Sequence, residues 1–213
     1  MTLKLYLYPL SSFCWKVMIP LYGSGVPWEP VMVDQMDPAK RAEYLKISPF
    51  GKIPTLVDSA WVINETSIMI EYSATTYPRG ASFLPKDPAK ALKVRALDRF
   101  FDLHVAIVLG KVANNRLRPA DRRDAIGVEI LMNDFRTALS ILEKDMATRT
   151  WTAGWTFTMV DCAATPALHD AQRLIPFTPD YPNVARHLER LRGPPSVARA
   201  TEGAKPHFHM EPH

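Results

Sequence analysis

The sequence predicts an α/β domain at the front of the chain and an all-α domain behind it. Three observations predict this. Strand-like and helix-like segments alternate from Lys4 to Thr75. Two prolines and a glycine then interrupt the pattern between Tyr77 and Pro88. From Ala89 onward strand signals largely disappear, and apolar residues recur at helical spacing.

Lys4–Tyr8 is an aromatic and aliphatic run closed by Pro9 and reads as the first strand. Ser11 or Ser12 is a good N-cap for a helix carrying Val17, Met18 and Leu21 on one side, which Gly23 to Pro27 stops. Pro30–Asp34 reads as a second strand, and Asp37-Pro38 opens a short polar helix over Ala39–Lys46. Ile53–Asp58 and Trp61–Asn64, parted by Ser59-Ala60, suggest a hairpin. Glu65–Thr75 returns to helical spacing. The order βαβαββα is what a thioredoxin-like fold requires.

In the back half, Leu92, Leu97, Phe101, His104, Val108 and Val112 trace one face of a long helix, and Val128, Leu131, Phe135, Leu139 and Leu142 trace another. Thr158-Met-Val-Asp161 has the form of a capping box with Asp in place of Glu. Asn183–Arg192 is a short amphipathic helix, and together these segments predict a helical bundle. The boundaries expected are 1–78 for the front domain, 79–88 for a linker, 89–203 for the back domain and 204–213 for a loose tail.

Composition narrows the function. At 213 residues, 47% hydrophobic and 23% charged, the chain can bury a real core. The net charge of +4 is spread along the chain without a basic run, which mildly favours acidic small molecules and argues against nucleic acid. No stretch approaches the roughly 18 apolar residues of a membrane span, and Met1–Leu10 enters a strand pattern without a secretion signal. Two cysteines cannot build a disulfide framework, so a reduced, cytoplasmic protein is expected.

Three segments carry candidate chemistry. In Leu10-Ser11-Ser12-Phe13-Cys14-Trp15-Lys16-Val17, a hydroxyl stands between a strand and a helix N-terminus, where backbone N–H groups and the helix dipole favour negative charge. A ligand thiol there is pushed toward thiolate, and a serine hydroxyl can donate to its sulfur. The same serine also serves as a plain helix cap, and local pattern leaves both roles open. In Ser48-Pro49-Phe50-Gly51-Lys52-Ile53-Pro54, a cis Ile53–Pro54 bond would turn the Ile53 backbone toward a peptide-like ligand, against an ordinary turn into a strand. In Asn64-Glu65-Thr66-Ser67, Glu65 can accept an ammonium and Thr66 can hold a carboxylate, or both simply cap a helix.

Taken together, these segments resemble the glutathione transferases over nearly the whole chain. Ser11–Val17 looks like the serine motif of the zeta, theta and related bacterial classes, Ser48–Pro54 like their Asn/Ser-Pro-x-Gly-Lys-x-Pro loop, and Glu65-Thr66 like their Glu-Ser pair. Thr152–Ala163 resembles their helix-capping motif in the back domain. The resemblance implies that Ser11 activates the glutathione thiolate, with Ser12 as fallback. It implies that Ile53 pairs its backbone with the cysteinyl part beside cis-Pro54, that Glu65 and Thr66 hold the γ-glutamyl end, and that Lys52 reaches the glycyl carboxylate. It also implies glutathione as co-substrate, no metal, a small and largely apolar electrophile, and a homodimer.

Three positions depart from the pattern. Thr66 replaces serine, Trp155 replaces a common aspartate, and Phe13 stands where the zeta class has cysteine, which weakens the case for maleylacetoacetate isomerase activity. Ser11-x-x-Cys14 has the spacing of a thiol–disulfide pair, but its outer cysteine is replaced, so Cys14 and Cys162 read as packing. His104 reads as a core or interface histidine, and Arg95, Arg99 and Lys111 as solvated or at a dimer contact. The leading expectation is a conjugating enzyme. Isomerisation, dehalogenation and ether cleavage use the same thiolate, and a non-catalytic binding or scaffold protein is the reading of a different class.

Overall fold

The structure, a computed structural model, describes residues 3–77 and 83–210. The front half contains strands β1 (Leu3–Leu7), β2 (Trp28–Met32), β3 (Thr55–Asp58) and β4 (Trp61–Ile63), with helices α1 (Ser12–Ser24), α2 (Pro38–Leu45) and α3 (Thr66–Thr76). The sheet runs β2-β1-β3-β4: β1 is parallel to β2 across the α1 crossover, while β3 is antiparallel to both its neighbours. The mixed sheet and its helices are the expected thioredoxin-like arrangement, and a helical half follows it.

Alternation makes β1 the inner strand. Leu3, Leu5 and Leu7 are buried while Lys4 and Tyr6 turn to the other face. Burying each leucine is worth about 1.5–3 kcal/mol. Helix α1 is buried from Cys14 through Leu21, because it is packed between α3 and the helical half. It stops at Gly25, whose φ of 67° is the left-handed cap that glycine adopts without strain. The hairpin turn is made at Ser59, as the Ser59-Ala60 break predicts.

The helical half contains α4 (Pro88–Phe100), a π-helical turn (Phe101–Ala106), α5 (Ile107–Arg116), α6 (Ala125–Met146), α7 (Met159–Leu174), α8 (Pro182–Leu191) and α9 (Pro195–Ala204). The first long helix is therefore interrupted by the π turn. Ala91, Val94, Asp98, Phe101, Val105, Val108 and Val112 are buried at a steady spacing of three and four residues, and Leu92 lies off that face, 66% exposed. His104, expected in the core or at an interface, is exposed within this chain with its ring against Phe100. Where the sequence reading has a loose tail, Lys205–Met210 form a 3-10 helix and the His207 ring stands 6.4 Å from Tyr8.

Thr158 and Asp161 form the expected capping box at the start of α7. Asp161 is fully buried, accepting from Thr158 N at 2.8 Å and from Thr152 N at 2.8 Å, and Thr152 Oγ1 lies 3.0 Å from His187 Nε2. Burial, helped by the Arg190 charge, lowers the His187 pKa to about 4. Among the described residues no helix is long and apolar enough to cross a membrane.

Candidate active site

The sheet register brings the three segments to one end. Tyr6 pairs with Thr55, so the chain entering β3 at Pro54 stands beside the chain leaving β1 toward Ser11. Leu56 pairs with Ile63, so the exit of β4 toward Glu65 lies at the same end. Thr55 Oγ1 bridges the last two segments, 2.8 Å from Tyr44 Oη and donating to Asn64 Oδ1 at 2.9 Å. Residues far apart in sequence thus converge because β3 is antiparallel to both neighbours.

Ser11 is the N-cap of α1, yet its side chain caps nothing. Ser11 and Ser12 are half-buried and line a cleft of about 520 Å³ between the two halves. Tyr8 and Leu10 border it on the front side, with Ala106, Leu109 and Gly110 opposite. At this N-terminus the unpaired N–H groups and the dipole favour an anion.

Cys14 lies one turn inward and is fully buried. Burial pushes its thiol up to about 11, against hydrogen bonds from the Ser11 side chain and the Tyr8 N–H, the latter at 3.5 Å. It is therefore protonated at neutral pH and is not a nucleophile. Burial pushes Cys162 well up as well.

The Ile53–Pro54 bond is cis. The loop before it is pinned at the Lys52 carbonyl, which accepts from Tyr44 Oη at 2.6 Å and from Ser48 Oγ at 3.2 Å. That leaves the Lys52 side chain in solvent, Ile53 half-buried and Pro54 buried. Glu65 is the N-cap of α3, and again its side chain makes no capping bond. Its carboxylate is exposed, while Thr66 begins the helix and is buried. These five residues stand along the same sheet end rather than in the wall of the 520 Å³ cleft.

A buried charge cluster behind this end was missed in the sequence. Lys16, 2% exposed, donates to Ser67 Oγ at 3.1 Å and to both Asp102 oxygens at 2.8 and 2.9 Å. Asp98 Oδ1 lies 2.9 Å from Lys16 Nζ as an ion-pair contact outside hydrogen-bond geometry, and Ser67 Oγ donates to Asp98 Oδ2 at 2.5 Å. Burial raises the Asp98 pKa, opposed by the Lys16 charge. The cluster ties α1 and the start of α3 to the helical half. Its only signal in the sequence is a charge at each of three otherwise apolar positions, Lys16 between Trp15 and Val17, and Asp98 and Asp102 on the Val94–Phe101 face.

Arg95 and Arg99, expected to be solvated or at a dimer contact, both reach carboxylates. Arg95 pairs with Glu71 of α3 and Arg99 with Asp102. Among the described residues no group of three or more His, Cys, Asp or Glu side chains is placed to hold a metal ion.

Comparison with known proteins accords with this geometry. The family description "Glutathione S-transferase, N-terminal domain" matches residues 5–82, and "Glutathione S-transferase, C-terminal domain" matches residues 105–195. The chain belongs to the glutathione S-transferase family. A probable maleylacetoacetate isomerase of Caenorhabditis elegans is 30% identical over 207 residues, covering 95% of this chain and 94% of that protein. Glutathione S-transferase 3 of Zea mays is 32% identical over 186 residues, covering 80% and 79%. Among solved structures, a Methylobacillus flagellatus glutathione S-transferase with glutathione bound superposes at a TM-score of 0.86, with 22% identity, over 93% of this chain and 98% of that one. At that identity the superposition speaks to the glutathione S-transferase fold alone.

Proposed function

We propose that the protein is a glutathione-dependent transferase. In this reading the N-terminus of α1 and the Ser11 hydroxyl stabilise the glutathione thiolate, with Ser12 beside them. The thiol proton leaves to solvent, and the sulfur electron pair forms a C–S bond to the electrophilic carbon as the leaving group departs with its own pair. Glu65 takes the γ-glutamyl ammonium and Thr66 its carboxylate, the Ile53 backbone at cis-Pro54 pairs with the cysteinyl unit, and Lys52 meets the glycyl carboxylate. The electrophile occupies the cleft between the halves. Conjugation is the proposed reaction; isomerisation, dehalogenation and ether cleavage draw on the same thiolate.

The observation that supports this most is the state of Ser11 and Glu65. Both stand at helix starts on one end of the sheet, and neither side chain is used as a cap. Calorimetric titration of reduced glutathione tests the reading. Micromolar to millimolar binding is expected, weakened about tenfold or more in Glu65→Ala, where a hydrogen bond to a charged group is lost. Absence of heat in the unmutated protein would sink the reading and favour a scaffold role.

A homodimer is proposed with it. Trp61 on β4, Ile68 on α3, Leu92 on α4 and Leu103 in the π turn are 57, 51, 66 and 45% exposed, apolar area that a second copy would cover. Light scattering should give the mass of two chains, and a single-chain mass would refute it. Two cysteines, both free and buried, are in keeping with a reducing, cytoplasmic setting.

A further inference from the structure

The cleft beside Ser11 is not uniformly apolar. Ala106, Gly110, Ala113 and Arg116 recur at intervals of four, three and three residues, so they share the face of the π turn and α5 that borders the cleft. The first three are small. A Cβ added at Gly110 would meet nothing within 4 Å, so that wall leaves room for the body of a ligand. The face ends in a guanidinium. Arg116 is exposed, and its side chain makes no hydrogen bond or ion pair among the described residues. Its place in the last turn of α5 is the end of a helix that favours a cation.

Across the cleft, α7 contributes Asp170 and Arg173. Two arginines against one aspartate leave the lining with one positive charge in excess, and the Arg116 side chain makes no hydrogen bond or ion pair among the described residues. A planar fork of N–H donors at the end of an apolar, small-residue wall matches a carboxylate carried on an apolar body. We infer that the second substrate is an anionic electrophile whose carboxylate is bound by Arg116 while its apolar part lies against Ala106 and Gly110. This rests on the proposed transferase reading for the position of the thiol, and it replaces the expected largely apolar electrophile by an amphipathic one. Arg116 is then a specificity-determining residue, remote from the bond that forms.

The test uses an unreactive pair that differs in charge and one methyl group, nitrobenzoate and its methyl ester, titrated calorimetrically into the protein and into Arg116→Gln and Arg116→Lys. The acid should bind about tenfold or more tighter than the ester, and Arg116→Gln should erase that preference while ester affinity moves less than about twofold. Arg116→Lys should restore part of it, since the charge returns without the fork. Equal binding of acid and ester to the unmutated protein, or an equal loss of both in Arg116→Gln, overturns the inference. So does a glutathione titration weakened in Arg116→Gln in place of the acid, which would put the arginine on glutathione. Failure of the transferase reading shows separately, as a silent glutathione titration of the unmutated protein, and the acid-over-ester preference is read independently of it.

Discussion

Among the described residues, six helices start from an Asp, Glu, Ser or Thr N-cap residue, and they divide into two kinds. At α2, α4 and α6 the Asp37, Asp87 and Asp124 side chains accept backbone N–H groups, and at α7 Thr158 and Asp161 close a capping box. At α1 and α3 the Ser11 and Glu65 side chains make no capping bond. The residue types are of the same kind, and the difference is whether the polar atom is committed to the N–H groups of its own helix start: Glu65 is not, and Ser11 turns its hydroxyl to the Cys14 thiol instead. Committed starts stabilise the fold, whereas uncommitted ones keep donor or acceptor capacity for a ligand at the cost of weaker local helix initiation.

The largest effect that sharpens this contrast is expected at α7. Asp161→Ala leaves the Thr152 and Thr158 N–H groups buried without partners. At about 1–3 kcal/mol for each orphaned donor, the loss is roughly 4 kcal/mol. For a chain of this size that lowers the melting temperature by roughly 8–16 °C, measured by thermal denaturation. Glutathione affinity, titrated well below the new transition, should stay within about twofold, because none of the atoms lost lies at the sheet end. A stable Asp161→Ala protein would mean that the capping box is dispensable and that the division has no energetic content.

Next in size is Ser11→Ala, where the effect should reverse in kind. A true N-cap serine costs about 1 kcal/mol when removed. Ser11 makes no cap bond, so stability should change by less than about 0.5 kcal/mol. Loss of a donor to a developing or bound anion costs about a hundredfold in turnover, so kcat/KM with a test electrophile should fall by that order. The opposite pattern, a lowered melting temperature with turnover intact, would make Ser11 a cap after all and move the thiolate to Ser12.

How much of this was legible in the sequence follows from the same distinction. The order of elements in the front half, the hairpin and the starts of α1, α2, α3 and α7 are readable because alternation, turn residues and N-cap chemistry are local. The three site segments were readable as positions. That Ser11 and Glu65 leave their own helix starts uncapped was not, since capping depends on where the side chain turns after the sheet has set the register. Leu92 falls off the buried face because that face runs through Ala91, Val94 and Asp98, two of them a small and a charged residue that give the apolar pattern little contrast. Lys16 is not legible as a buried ion pair because its partners Asp98 and Asp102 come 82 and 86 residues later, and no local pattern joins them. Helix α9 was missed inside the broad helical assignment, since its buried residues are mainly Ala200, Ala204 and Val197 and give little apolar contrast.

The smallest expected effect is the control that the comparison needs. Asp37 belongs to the committed kind. Its Oδ1 accepts from Ala39 N at 2.9 Å and from Lys40 N at 3.2 Å, and Pro38 follows it at the first helical position. It also stands at the end of the sheet that carries Ser11 and Glu65, because β2 runs parallel to β1. Asp37→Ala should cost about 1 kcal/mol by chemical denaturation. The exposed contact of Asp37 with Lys40, at 3.8 Å, adds little. Glutathione affinity should change by less than about twofold, against the roughly tenfold loss expected for Glu65→Ala. Two acidic N-caps at one sheet end would then separate cleanly, one moving stability and the other moving binding. An Asp37→Ala protein that loses glutathione as Glu65→Ala does would show that the charge of this sheet end, and not the uncommitted state of particular side chains, is what the ligand reads.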